Sequence, residues 1–280
     1  MMMFQAREII ISRSNKTIKY LKSLSLARNR LKEGRFLIEG IRMTEEILER
    51  RCCVRKLIIT PHAAQNERAA VLVESAMEQG VEVLWVADRV VDYLSETKTS
   101  QGVMALVEPE TFSESDLGKG LIPMVVVAHL LQDPGNLGTI VRVADAAGAG
   151  GVVTTPGTVD FYNPKALRAT MGSIFRLPTF RAPSLEDFIN NMKSKGYQVV
   201  AGTVSARIRY FDVDYTKPTV LLLGQEGAGL PPEAIMLTGQ KVTIPMSTMI
   251  DSLNVASAAS VILYEAVRQK IVSGGDFAKK

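Results

Sequence analysis

Residues 124–147 read MVVVAHLLQDPGNLGTIVRVADAA, and the order of their parts decides the fold. A five-residue apolar run over 124–128 leads into a loop containing Pro134, Gly135, Asn136 and Gly138, and then into a helix-like apolar pattern over 139–147. Strand, loop and helix in that order form one unit of a parallel sheet covered on both faces. Further short apolar runs at 151–153, 198–201 and 220–223 repeat the unit, and together they predict an α/β domain over residues 121–275. In such sheets ligands collect beyond the carboxyl ends of the strands. Three unusual loops fall there, at 132–138, 224–229 and 245–254.

In the first loop Thr139 is placed to cap the following helix and Arg142 lies near its first turn, an arrangement that suits an anion as well as a plain capped turn. The second loop, GQEGAG, surrounds Glu226 with glycines that allow close backbone approach. Its spacing is G-x-x-G-x-G, and it follows a late strand, so it is not a dinucleotide-binding fingerprint. Pro231 and Pro232 suit the start of the next helix. The third segment is a strand ended by Pro245, then a long helix rich in small residues, with Ser252 and Asn254 offering a hydroxyl and an amide at its start.

Upstream, residues 1–107 alternate helical and strand-like patterns and read as a small α/β domain, with strands at 54–59, 81–86 and 103–107. The polar stretch EPETFSESDLGKG over 108–120 has the composition of an exposed linker. Charge divides unevenly. Residues 1–60 hold 14 Lys and Arg against 6 Asp and Glu, an excess of +8 in a chain whose net charge is +4. Such asymmetry points to a polyanion partner, because bound phosphates release counterions from basic side chains.

With 280 residues, 46% of them hydrophobic and 22% charged, the chain is long enough for two domains with their own cores. No apolar stretch approaches a membrane span and the basic start leads into polar sequence, so the expected compartment is the cytoplasm. Cys52 and Cys53 are adjacent, which suits neither a disulfide framework nor zinc ligation, and they read as reduced thiols. His62 and His129 stand without neighbouring ligands, so no metal is expected. The absence of G-x-S-x-G argues against a triad hydrolase.

Taken in order, N-x-G-T-I-x-R from Asn136 to Arg142, G-x-E-x-x-G-L from Gly224 to Leu230, and I-P-M followed by S-L-N-V between Ile244 and Val255 resemble the three signature motifs of SpoU (TrmH-like) RNA methyltransferases. NPKALRATMGSIFRLP at 163–178 adds to the resemblance, and SRSNKTIKYLKSL, FLIEG and QGVMALV look more loosely like the RNA-binding extension of that family. The resemblance implies an α/β domain with a deep trefoil knot, preceded by a small RNA-binding α/β domain. It implies transfer of a methyl group from S-adenosyl-L-methionine to a ribose 2′-hydroxyl, in ribosomal RNA in preference to transfer RNA, by a homodimer whose small-residue helix forms a dimer face.

By the same resemblance, Gly224, Ile244, Leu253 and Thr203 contact the cofactor. Arg142 activates or orients the 2′-hydroxyl, Asn136 holds Arg142 or the ribose, Glu226 orients Arg142 or a neighbouring polar group, and Ser252 and Asn254 order the pocket. Arg168 contacts phosphate, and Arg13, Lys16, Lys19 and Arg30 grip structured RNA. Two positions depart from the family pattern: Thr248 stands where glycine is usual and Ala256 where serine is usual. Competing readings are a non-catalytic RNA-binding or ribosome-assembly factor that kept the fold, and a nucleotide-dependent oxidoreductase.

Overall fold

The computed structural model describes residues 8–50, 54–97, 99–247 and 252–276, so Cys52, Cys53 and Thr248 lie outside the described residues. The chain forms two compact units, Met1–Glu110 with Tyr162–Pro164, and Thr111–Phe161 with Lys165–Lys280.

The first unit runs α1 (Lys16–Ser23), α2 (Ala27–Glu33), β1 (Phe36–Glu39), α3 (Ile41–Glu49), β2 (Val54–Ile59), α4 (Glu67–Glu78), β3 (Glu82–Trp85), α5 (Asp88–Leu94) and β4 (Val103–Val107). Its mixed sheet has the order β1-β4-β2-β3, with β2 parallel to β3 and antiparallel to β4. Alternation along the strands sends successive side chains to opposite faces. Ile58 and Met104 pack with Ile18 and Leu21 of α1 and Val90 of α5, whereas Leu57, Ile59 and Val103 pack with Leu72 and Ala76 of α4. Each face thus has its own apolar cluster.

The second unit runs β5 (Met124–Ala128), α6 (Pro134–Ala146), β6 (Val152–Thr154), α7 (Pro164–Thr170), β7 (Thr179–Arg181), α8 (Leu185–Ser194), β8 (Gln198–Gly202), β9 (Ile208–Arg209), β10 (Thr219–Leu223), α9 (Pro232–Met236), β11 (Gln240–Thr243) and α10 (Val255–Val272). Its strands pair in the order β7-β6-β5-β10-β8-β11-β9, and every pairing is parallel. Every residue of β5 and β10 is buried, as the unbroken apolar runs predict for strands covered on both faces. The helix α10 packs on α6, and Ala256 and Ala259 are buried there. Ser257, by contrast, is exposed, and Ala258 and Ser260 are half-buried.

The stretch 108–120, in which the boundary between the two units falls, is exposed at 110, 111, 113, 115, 119 and 120 but anchored between them. Glu108 accepts from Arg35 at 2.8 Å and Arg55 at 2.9 Å, Glu114 pairs with Lys195 at 2.8 Å, and Leu117 is buried in the core of the second unit. Polar composition missed this because the buried anchor is a single leucine among charges that find partners.

Arg30 also departs from expectation. It is 4% exposed, and its guanidinium donates to the carbonyls of Leu24 at 2.9 Å and Ser25 at 2.8 Å, closing the turn between α1 and α2. A buried guanidinium holding carbonyls cannot also hold phosphate. Replacing it by methionine strands those acceptors, so Arg30→Met is expected to lose about 1–3 kcal/mol of unfolding free energy in urea titration. No shift in the midpoint would contradict the assignment.

Candidate active site

The sequence expects the 132–138 stretch to be a loop capped by Thr139, but α6 begins earlier, at Pro134. Asp133 is the cap: its Oδ1 accepts from the amides of Gly135 at 2.6 Å and Asn136 at 3.1 Å, and Pro134 at the first position has no N–H to satisfy. Thr139 instead donates to the carbonyl of Gly135 at 2.8 Å. Gly138 is tolerated within the helix because α7 crosses it so closely that a Cβ would lie 2.3 Å from the carbonyl oxygen of Ala166. Lys165 reaches the other oxygen of Asp133 at 2.8 Å. That bond, with the two capping amides, outweighs desolvation and holds the Asp133 carboxyl below the usual range.

Asn136, in the first turn of α6, ties three loops together. Its Nδ2 donates to Glu226 Oε1 at 2.7 Å, and its Oδ1 accepts from Asn254 Nδ2 at 2.9 Å. Asn254 in turn caps α10, its Oδ1 accepting from the amides of Ala256 at 2.9 Å and Ser257 at 3.3 Å. Glu226 also accepts from the amides of Gln132 at 3.2 Å and Asp133 at 3.3 Å. Burial pushes the Glu226 pKa up, but the bonds from Asn136 and the surrounding amides prevail and hold it below its ordinary 4.5.

The loop carrying Glu226 doubles back on itself, with Gln225 and Gly229 exchanging backbone bonds at 3.0 and 2.9 Å. A Cβ on Gly224 would sit 2.4 Å from the carbonyl of Gly229, so this glycine is required by the loop's own return.

Beside this network lies a cleft of 480 Å³. Thr203, Gly224, Ile244 and Leu253 all line it, and so do Glu226, Ser252 and Asn254. Its volume falls within the roughly 300–1,000 Å³ of small-molecule sites. Leu223, Ile262 and Leu253 offer apolar wall, and the buried Thr203 Oγ1 has no partner among the described residues. An apolar cradle with an unanswered hydroxyl and a carboxylate at its mouth fits a cationic nucleoside such as S-adenosyl-L-methionine.

Arg142 is not brought into this group. It stands six residues beyond Asn136, which turns it about 120° round the helix; it is exposed, does not line the cleft, and makes no hydrogen bond or ion pair with any described residue. Within the chain, the side chain that Glu226 bonds is that of Asn136. Arg168 is likewise exposed on α7. His129 pairs its Nδ1 with Thr155 Oγ1 at 2.7 Å, and burial lowers its pKa against the opposing carboxylate of Glu233. Among the described residues no cluster of His, Cys, Asp and Glu could hold a metal ion, and no helix is long and apolar enough to cross a membrane.

In the first unit Arg13, Lys16 and Lys19 are exposed. Lys22 continues the stripe of Lys16 and Lys19 at intervals of three residues along α1, and Arg13 and Lys22 lie 5.1 and 5.0 Å from the centre of the Tyr93 ring. Sequence reasoning missed Lys22 and Tyr93, since Tyr93 comes from α5 and only the fold brings it there.

Residues 123–264 match the sequence model of the SpoU rRNA Methylase family, and residues 15–105 match the MRM3-like substrate binding domain. The chain is 30% identical to the 23S rRNA (guanosine(2553)-2′-O)-methyltransferase RlmP of Bacillus subtilis, over 91% of this chain and 97% of that one. It is 33% identical to a 23S rRNA (uridine(2479)-2′-O)-methyltransferase of Streptomyces viridochromogenes, over 94% and 92%. Its fold is similar to the SpoU methyltransferase AviRb from Streptomyces viridochromogenes in complex with AdoMet, with a TM-score of 0.82 at 30% identity over 92% of this chain and 98% of that one. An rRNA methyltransferase from Sinorhizobium meliloti superposes with a TM-score of 0.81 at 33% identity, over 93% and 97%.

The carboxylate form of Glu226 is what the amides bind, and its depressed pKa fixes the sign of a pH effect. Stability from these bonds is complete above the unfolded pKa and is lost as pH falls through the folded one. Glu226→Gln is expected to unfold more easily than wild type near pH 7, with the gap closing toward about pH 3. A gap independent of pH in denaturant titrations would refute the assignment.

Proposed function

The chain belongs to the SpoU rRNA methylase family, and on that premise we propose that it transfers a methyl group from S-adenosyl-L-methionine to a ribose 2′-hydroxyl of ribosomal RNA. The observation that carries this reading is the direct hydrogen-bonding of all three motif loops, Asn136 to Glu226 and Asn254, at the mouth of a cleft lined by Thr203, Gly224, Ile244 and Leu253.

Bound in the cleft, the cofactor supplies an electrophilic methyl on a sulfonium. The chain's own residues then have to hold the acceptor oxygen in line and accommodate its proton, and alignment of this kind is worth several orders of magnitude in rate. Glu226, kept ionised by its amides, adds negative charge beside the cationic donor and fixes Asn136. Asn136 and Asn254 present the first turns of α6 and α10 to the ribose, and Ser252 adds a hydroxyl on the cleft wall. Arg142 holds the 2′-hydroxyl against an adjacent RNA phosphate; its guanidinium stays charged and serves as a fork for oxygens, and the phosphate oxygen takes the hydroxyl proton as the oxygen–methyl bond forms and the sulfur–methyl bond breaks.

Because Arg142 lies outside its own chain's cleft, it suits a site completed where two copies meet. A homodimer is supported by the exposed stripe Tyr264 and Ile271 on α10. Within each chain, the C-terminal segments around the cleft thread through a loop to form the trefoil knot typical of the family. Residues 1–107 serve as the RNA-gripping domain through Arg13, Lys16, Lys19 and Lys22, with Tyr93 as a flanking aromatic, and Arg168 contacts phosphate from the methyltransferase domain.

The direct test is transfer of labelled methyl from S-adenosyl-L-methionine to ribosomal and transfer RNA from a strain lacking the protein, followed by nucleoside analysis. Label in a 2′-O-methylated ribosomal nucleoside is expected; label confined to transfer RNA would move the substrate, and cofactor binding without any transfer would favour an assembly factor. Arg142→Ala should reduce transfer by about 100-fold or more with cofactor affinity within a few-fold. Undiminished turnover removes Arg142 from the mechanism. Neutralising Arg13, Lys16, Lys19 and Lys22 together should flatten the slope of log affinity against log salt by up to about 3. An unchanged slope excludes that surface.

A further inference from the structure

Leu130 has φ +60°, the left-handed region that residues with a Cβ rarely adopt. It lies in the loop 129–133 that joins β5 to α6. Such a conformation persists only where its surroundings over-determine it, and here the surroundings are residues 155–159. Thr158 Oγ1 accepts from the amide of Leu130 at 2.9 Å and donates to the carbonyl of Ala128 at 3.1 Å. Gln132 Nε2 donates to the carbonyls of Leu130 and Gly157, both at 2.8 Å. The amide of Val159 donates to the carbonyl of Leu131 at 2.9 Å. Gly157 itself has φ +85°, and a Cβ there would fall 2.6 Å from Leu130 Cδ2.

The consequence of this clamp appears two residues later. Just beyond the turn at Leu130, the amides of Gln132 and Asp133 both donate to the carboxylate of Glu226. An extended Leu130 would rotate both amides away and leave a partly buried carboxylate short of donors. None of residues 129–133 lines the cofactor cleft.

We propose that Thr158 and Gln132 are positioning residues for methyl transfer, which hold Leu130 in its left-handed turn and through it set Glu226 and Asn136. The proposal rests on the methyltransferase reading for its catalytic consequence, while the clamp itself can be read without turnover.

The experiment compares wild type with Thr158→Val, Thr158→Ser and the double variant Thr158→Val with Leu130→Gly, all as full chains. Two readouts are taken: amide hydrogen exchange over residues 129–136, and the single-turnover rate of methyl transfer to ribosomal RNA with S-adenosyl-L-methionine. Thr158→Val is expected to exchange about tenfold faster over this segment and to transfer methyl about tenfold more slowly or worse, with the KM for RNA and the cofactor Kd within a few-fold. Thr158→Ser, which keeps the hydroxyl, should recover most of both. Leu130→Gly should restore part of the transfer rate of the Val variant, since glycine enters positive φ without steric cost.

Thr158→Val behaving as wild type in both readouts overturns the proposal, and so does a double variant no better than Thr158→Val. Altered exchange in a protein whose wild type transfers no methyl overturns the methyltransferase reading instead and leaves the clamp standing.

Discussion

Asn136 spends both ends of its carboxamide within the chain, donating to Glu226 and accepting from Asn254. No other residue type of that size offers a donor and an acceptor on one planar group, and the two partners lie 90 and 118 residues further along. The bond to Glu226 is partly buried, where leaving either group unmatched costs more than forming the bond gains, whereas the bond to Asn254 is exposed. Loop 224–229, the first turn of α6 and the first turn of α10 therefore stand or fall together. Glu226 remains ionised because this arrangement offers it donors, not because it is exposed.

The same economy appears at the helix ends. Asp133 and Asn254 satisfy the free amides at the starts of α6 and α10, and each also reaches outside its own helix, Asp133 to Lys165 and Asn254 to Asn136. Cap and site are thus one set of side chains. Beneath them the parallel sheet supplies rigidity, with β5 and β10 buried on both faces, and close approach of helices is secured by small residues. Gly138 admits α7, while Ala256 and Ala259 of α10 are buried where that helix meets α6. Ala256, a departure from the family pattern, is accommodated in this way, for its methyl is buried and its amide is already capped.

In the first unit the basic residues divide by burial into two kinds. Arg30 turns inward to bind carbonyls, whereas Lys16, Lys19 and Arg13 face outward and Lys22 joins Arg13 against an aromatic ring. A guanidinium stacked on a ring keeps its charge available while its stem is held in place.

Much of this molecule can be read from residue order. The unbroken apolar runs at 124–128 and 220–223 require a sheet covered on both faces, because strands half exposed would alternate; Asn254 before a helical run announces a cap; and three short motifs in order carry the family. Of the residues lining the cleft, Gly224, Ile244 and Leu253 stand in those motifs, and Thr203 follows strand β8 outside them. Tertiary structure alone decided which of several satisfiable options each polar residue takes. Asp133 rather than Thr139 caps α6, Glu226 meets Asn136 rather than Arg142, Leu117 converts a polar stretch into core, and Arg30 is spent on carbonyls. The reason is the same in each case: a chain's local pattern fixes which groups need partners, but several candidates are on offer, two residues away for Asp133 and ninety for Glu226, and only the folded geometry selects among them.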